Sequence, residues 1–65
     1  MLSMNIIVGS NVIKVSTGEI GVVVSKYQHC TYINKVSKWK SSYLVYFEDK
    51  KVCKYVKEDD IELLN

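Results

Sequence analysis

Thr17-Gly18-Glu19-Ile20-Gly21-Val22-Val23-Val24 is the stretch that decides how the chain folds. A glycine-bearing turn leads directly into an apolar, β-branched run, the pattern of a tight reversal feeding a buried strand. Upstream, Val12, Ile13 and Val15 supply a first strand over about 11–15, preceded by a short lead-in at Ile6-Ile7-Val8 and a bend at Gly9-Ser10-Asn11. Ser16-Thr17-Gly18 fits a three-residue hairpin loop with Gly18 in the left-handed conformation. Val15 then faces Glu19, Val12 faces Val22, and Val12, Ile20, Val22 and Val24 share one face with Lys14 as a misfit. A four-residue loop instead turns Ile13 and Val15 inward, because a side-chain period of two makes the registers exclusive. Ile20, Val22 and Val24 are expected to face the core under either loop.

Downstream, the second strand is expected to run on towards Tyr27, after which the alternation dissolves from Gln28 to Ser42. That region reads as a long basic connection carrying Trp39 among Lys35, Lys38 and Lys40, with a short strand near Cys30 to Ile33. Tyr43-Leu44-Val45-Tyr46-Phe47 is a strand by composition. Glu48-Asp49-Lys50-Lys51 reverses it, Val52 to Val56 returns, and Phe47 lies opposite Val52. Tyr43, Val45, Phe47, Val52 and Val56 make the inner face, with the Lys54 head reaching water from the rim. Leu44, Tyr46, Cys53 and Tyr55 make an apolar outer face. Lys57-Glu58-Asp59-Asp60 is a single charged helical turn before a closing strand at Ile61 and Leu63. Met4 offers an alternative start, since Met1 to Ser3 add nothing to the pattern.

This order of elements resembles that of SH3-like small barrels, particularly the KOW and Tudor-like branch. Shared features are the G-x-x-G-x-V entry at Gly18, Gly21 and Val23 and the closing Asp60-Ile61-Glu62, over roughly residues 8–64. The resemblance implies an all-β, five-stranded SH3-like barrel with one helical turn before the last strand. It also implies a binding role, to protein or nucleic acid. Tyr27, Trp39 and Tyr46 are the candidates for a Tudor-type aromatic cage.

Sixty-five residues make one domain, residues 1–65. A chain this short buries only about 60% of the surface its unfolded form exposes, which leaves little room for an enclosed active site. The formal net charge of +2 is too mild to demand a polyanionic partner, and all nine cations are Lys. Without Arg the chain lacks the bidentate fork that reads guanine edges. The absence of Arg, Pro and Ala beside abundant Lys, Asn, Ile and Tyr is the profile of an AT-rich coding sequence, consistent with a phage or mobile element. Residues 1–47 carry net +4 and residues 48–65 net −2, a dipolar surface able to steer a partner.

Cys30 and Cys53 form no CxxC pair and read as reduced, partly buried cytosolic thiols. No signal peptide or membrane-length apolar run is visible, so a cytoplasmic location is expected. His29 beside Cys30 makes neither a tetrahedral metal set nor a complete nucleophilic site, so no metal, cofactor or enzymatic activity is expected. Two surfaces remain. One is Trp39 with Lys35, Lys38 and Lys40, able to stack a base while the lysines hold phosphates or acidic side chains; the competing role is a Trp lid over one barrel end. The other is the outer stripe of Leu44, Tyr46, Cys53 and Tyr55, suited to protein contact or self-association unless the 28–42 connection covers it. The first expectation is a protein-interaction accessory or inhibitory factor docking on a host protein. The alternative is a KOW-like binder of RNA or DNA, with Lys14 and Lys26 adding to the basic loop.

Overall fold

The computed structural model describes residues 6–64, so Met4 and the other residues of the amino-terminal stretch lie outside it. Five strands follow in order: β1 (Asn11–Lys14), β2 (Glu19–Ile33), β3 (Val36–Phe47), β4 (Val52–Lys57) and β5 (Ile61–Leu63), with a 3-10 turn at Glu58–Asp60 before β5. They form one antiparallel sheet in the order β4-β3-β2-β1-β5. Among the described residues no ladder joins β4 to β5, so hydrogen bonding leaves the sheet open. Its strands nevertheless serve one core. Val56 of β4 and Ile61 of β5 belong to the same buried cluster as Ile6, Val12, Val23, Tyr43, Val45 and Phe47. Ile6, which precedes the span 8–64 that carries the resemblance, is thus part of the core.

The β1–β2 register corrects the expected hairpin. Lys14 pairs with Glu19, Ile13 with Ile20 and Val12 with Gly21, so the loop holds four residues, Val15 to Gly18. The Lys14 carbonyl accepts from the Thr17 and Gly18 amides at 3.3 and 2.7 Å. Gly18 takes φ +78°, the left-handed conformation expected of it. Val12 is buried as expected, but Ile20, Val22 and Val24 are not: Ile20 is 57% exposed, and the inward residues of β2 are Gly21 and Val23. The four-residue loop is the alternative length, but the facing expected with it fails, because Val12 and not Ile13 is buried and Val15 is exposed.

The reason lies at Gly21. A Cβ there would stand 2.6 Å from the Tyr46 carbonyl oxygen, 2.6 Å from Val45 Cγ1 and 3.1 Å from Phe47 Cδ1. β2 lies so close against β3 that only glycine fits the inner position, and the period of two then sends Ile20 and Val22 outward. A bulge between Val23 and Ser25 restarts the alternation with Ser25 opposite Leu44.

The β3–β4 hairpin forms in the expected register, with Phe47 opposite Val52 across the turn Glu48–Lys51. Tyr43, Val45, Phe47 and Val56 are buried, while Val52 and Lys54 at the open end of that face are exposed. Glu19 bonds Lys50 at 2.8 Å across the mouths of the two hairpins. The Lys50 ammonium, then the Thr17 hydroxyl, hold the Glu19 carboxyl below its ordinary value, and Glu19 in turn raises Lys50. The stabilisation from Glu19 is present above the ordinary carboxylate range and is lost as pH falls through its lowered pKa; that from Lys50 is lost only as pH rises through its raised one. Lys50 is exposed and Glu19 half-buried at the surface, so salt screens the pair.

The acidic turn has more structure than a solvated charge cluster. Asp60 accepts from the Ser16 amide at 2.8 Å and from the Ser16 hydroxyl at 2.7 Å. The Asp60 carbonyl also accepts from the Val15 amide at 3.0 Å. These bonds fasten the β1–β2 loop to the 3-10 turn, which sets where β5 begins.

Two outcomes follow for stability. Gly21→Ala should lose about 2 kcal/mol in urea unfolding, since overpacking against backbone cannot be relieved by a rotamer change. Asp60→Ala should lose roughly 1–2 kcal/mol through the carboxylate bonds to Ser16, with Glu62→Ala on the neighbouring strand as the near-neutral control.

Candidate functional site

The region from Gln28 to Ser42 is a continuous hairpin rather than a loop. β2 and β3 stay paired from Lys26↔Tyr43 through Gln28↔Ser41, Cys30↔Trp39 and Tyr32↔Ser37 to Ile33↔Val36. Asn34 and Lys35 alone close it, with φ +52° and +62°, the left-handed pair of a two-residue type I′ turn. β1 reaches no further along β2 than Val22, and β4 pairs with β3 only as far as Ser42. Past those points the hairpin projects as a two-stranded arm, which accounts for the elongated extents of 42 × 26 × 21 Å. Glu58 accepts from the Ser41 amide at 2.9 Å, replacing the partner strand where β4 ends. Alternation then turns the backbone groups of Trp39 and Ser37 to an open edge as well.

Strand geometry divides the expected Lys–Trp cluster. Trp39 lies on the face that continues the core side of the sheet, with Cys30 opposite it and Gln28, Tyr32, Ser37 and Ser41 around it. Lys38 and Lys40 point to the other face, opposite Thr31 and His29, and Lys35 occupies the turn. Trp39 is 71% exposed and Tyr32 69% exposed, so Trp39 is no lid over the core. Lys26 stands at the root of the aromatic face, its Nζ 5.8 Å from the centroid of the Tyr43 ring. The lysine face forms two open recesses. One is lined by Thr31, Val36, Lys38 and Lys40; the other by His29, Lys40, Ser42 and Lys57 together with Glu58 and Asp59.

The outer stripe is assembled as expected and is larger. Tyr46 pairs with Val22 and Cys53, and Leu44 with Ser25 and Tyr55, so all share the outer face with Ile20. Tyr27 joins them, its ring 5.7 Å from that of Tyr55 at an interplanar angle of 53°. Nothing covers this stripe among the described residues: the 28–42 segment extends the sheet past it, leaving Tyr55 68% exposed and Leu44 and Tyr46 half-buried.

Several candidate chemistries lose their geometry. Tyr27 and Tyr46 lie on the face opposite Trp39, so those three rings form no cage. His29 and Cys30 are consecutive on a strand and point apart. Cys30 and Cys53 are both exposed and free, on opposite faces of the sheet, rather than partly buried. Among the described residues no group of three or more His, Cys, Asp or Glu side chains is placed to hold a metal ion, and no helix is long and apolar enough to cross a membrane.

The residues overlooked in sequence are Gln28 and Tyr32, while Tyr27, a cage candidate, joins the outer stripe instead. The available signal was Thr31-Tyr32-Ile33 and Val36 flanking a two-residue gap that opens with Asn. The gap lacks the glycine that usually completes such a turn, and the arm buries neither face, so no hydrophobic alternation marks it. No family model, curated protein or solved structure matches the chain.

Lys35→Gly should tighten the arm, because Lys35 holds a left-handed φ that glycine adopts without steric cost. Slower amide exchange at Thr31 and Lys38 should report it, with exchange at the core residues Val23 and Val45 unchanged.

Proposed function

We propose that the chain is a non-catalytic binding module of SH3-like architecture whose β2–β3 arm engages a nucleic acid through its phosphate backbone. In support of the architecture stand the strand order, the 3-10 turn before β5 and the core shared by β4 and β5. The partner class rests on one observation. From Ile20 to Phe47 there is no acidic residue, while Lys26, Lys35, Lys38 and Lys40 all lie along the projecting hairpin. An exposed arm that carries lysines and no acid of its own, with Glu58 and Asp59 beside its root alone, is complementary to a polyanion, although the whole chain is only mildly basic. With Lys as its only strong cation the arm grips phosphates and does not discriminate bases.

A protein partner is the second reading, favoured by the outer stripe. Leu44, Tyr46 and Tyr55, joined by Tyr27, make a continuous apolar and aromatic surface of the kind that protein contacts bury. An accessory or inhibitory factor of phage or mobile-element origin fits the small size and AT-rich composition.

Gel shifts with single-stranded RNA, single-stranded DNA and duplex DNA separate the two. The arm reading expects retardation at low salt that fades as salt rises, roughly one power of salt per phosphate neutralised. The double substitution Lys38→Gln with Lys40→Gln should lower that slope by about two, while Tyr55→Ala leaves it unchanged. If no form of nucleic acid is retarded, the arm reading is wrong, and capture from nuclease-treated lysate that depends on Tyr55 then supports the protein partner.

A further inference from the structure

Resting on the arm reading, we infer that the nucleic acid is single-stranded and that its unpaired bases stack on the face carrying Trp39 and Tyr32. The two faces of the arm differ in chemistry. The lysine face carries Lys38, Lys40 and His29; the opposite one carries Tyr32, Trp39, Cys30, Gln28, Ser37 and Ser41, without a formal charge among them. On that second face Trp39 lies directly across from Cys30, and Tyr32 across from Ser37. Trp39 and Tyr32 are thus diagonal neighbours, with Cβ atoms roughly 7–8 Å apart or somewhat less. Their flanking partners are short, so no bulky side chain of the arm lies directly across from either ring.

Two large aromatic residues this exposed, diagonal neighbours on one face and left uncovered among the described residues, match the stacking platform of a single-strand binder. Gln28 and Ser41 extend the same face with an amide and a hydroxyl able to bond base edges. Lys26 at its root supplies a cation for the backbone of the strand. A duplex keeps its bases stacked on each other and offers none to Trp39; its contact would fall to the lysine face instead. The arm itself bears no acid, and Glu58 and Asp59 border only the lysine face, at its root. The two rings and the uniform positive charge together favour a flexible single strand, read without base specificity because every base has a π-face.

Trp39 is the only Trp in the chain, so its fluorescence reports the contact directly. The experiment titrates the full chain with oligothymidylate and, separately, with a blunt mixed-sequence DNA duplex, at low salt. Quenching of Trp39 by oligothymidylate, with tighter binding than to the duplex, is the expected result. Trp39→Ala should weaken oligothymidylate binding at least about fivefold by anisotropy of a labelled strand, and Trp39→Tyr should restore most of it. Tyr32→Ala should weaken binding while leaving a quenchable Trp39, which guards against misfolding of the Trp39→Ala variant. Binding of both nucleic acids without quenching, unaffected by Trp39→Ala and Tyr32→Ala, overturns the stacking inference and leaves the arm reading standing. Absence of binding to either nucleic acid overturns both.

Discussion

The close approach of β2 to β3 at Gly21 governs this fold. The inner position opposite Val12 has no space for even a methyl group, because the Tyr46 carbonyl and the Val45 and Phe47 side chains occupy it. That contact fixes which side of β2 is inside, and period two carries the choice along the strand. Val23 goes inward and Ile20 and Val22 outward. The outer aromatic stripe is therefore a consequence of core packing: once Gly21 takes the interior, the β-branched residues beside it have only the surface.

Continuity with the core is what makes the arm tenable. A two-stranded ribbon alone is marginal in water, yet here both strands are direct extensions of central strands whose inner residues are buried. Lysines along an open edge also discourage pairing with another chain, so Lys38 and Lys40 serve the solubility of the arm whatever else they contact. At its root, the Glu58 carboxylate takes the first backbone donor that β4 leaves unpaired. Asp60, two residues on, ties the β1–β2 loop to the start of β5. The acidic 3-10 turn thus connects the projecting hairpin with the edge of the sheet where the chain closes.

Some elements were legible because two independent signals agreed. The Tyr43–Val56 hairpin was one: strand composition and turn length gave the same register, and Phe47 does face Val52. Gly18 was another, since a tight reversal needs a left-handed residue and glycine was there to supply it. Elsewhere a single signal had to decide and misled. Three consecutive valines carry no alternation of their own, so Ile20 alone suggests their facing, and the close packing at Gly21 reverses it. From Gln28 to Ser42 the polar and apolar residues follow no period because neither face of the arm is buried, and an exposed ribbon in sequence looks like a loop. That error also placed Trp39 among its neighbouring lysines, although consecutive strand residues point apart.

By itself the sequence determined an all-β chain, the position of two of its turns, the inner face of β3, and a segment from Ile20 to Phe47 rich in Lys and free of acid. These follow from composition and local backbone preference, which act within a few residues. Only the tertiary structure decided the open five-strand order, the facing of β2, the length of the arm and the division of Trp39 and Tyr32 from Lys38 and Lys40. Each of those depends on a contact between residues distant in the chain, above all Gly21 against Val45 and Phe47. Distant contacts select among registers that local preference leaves nearly equal.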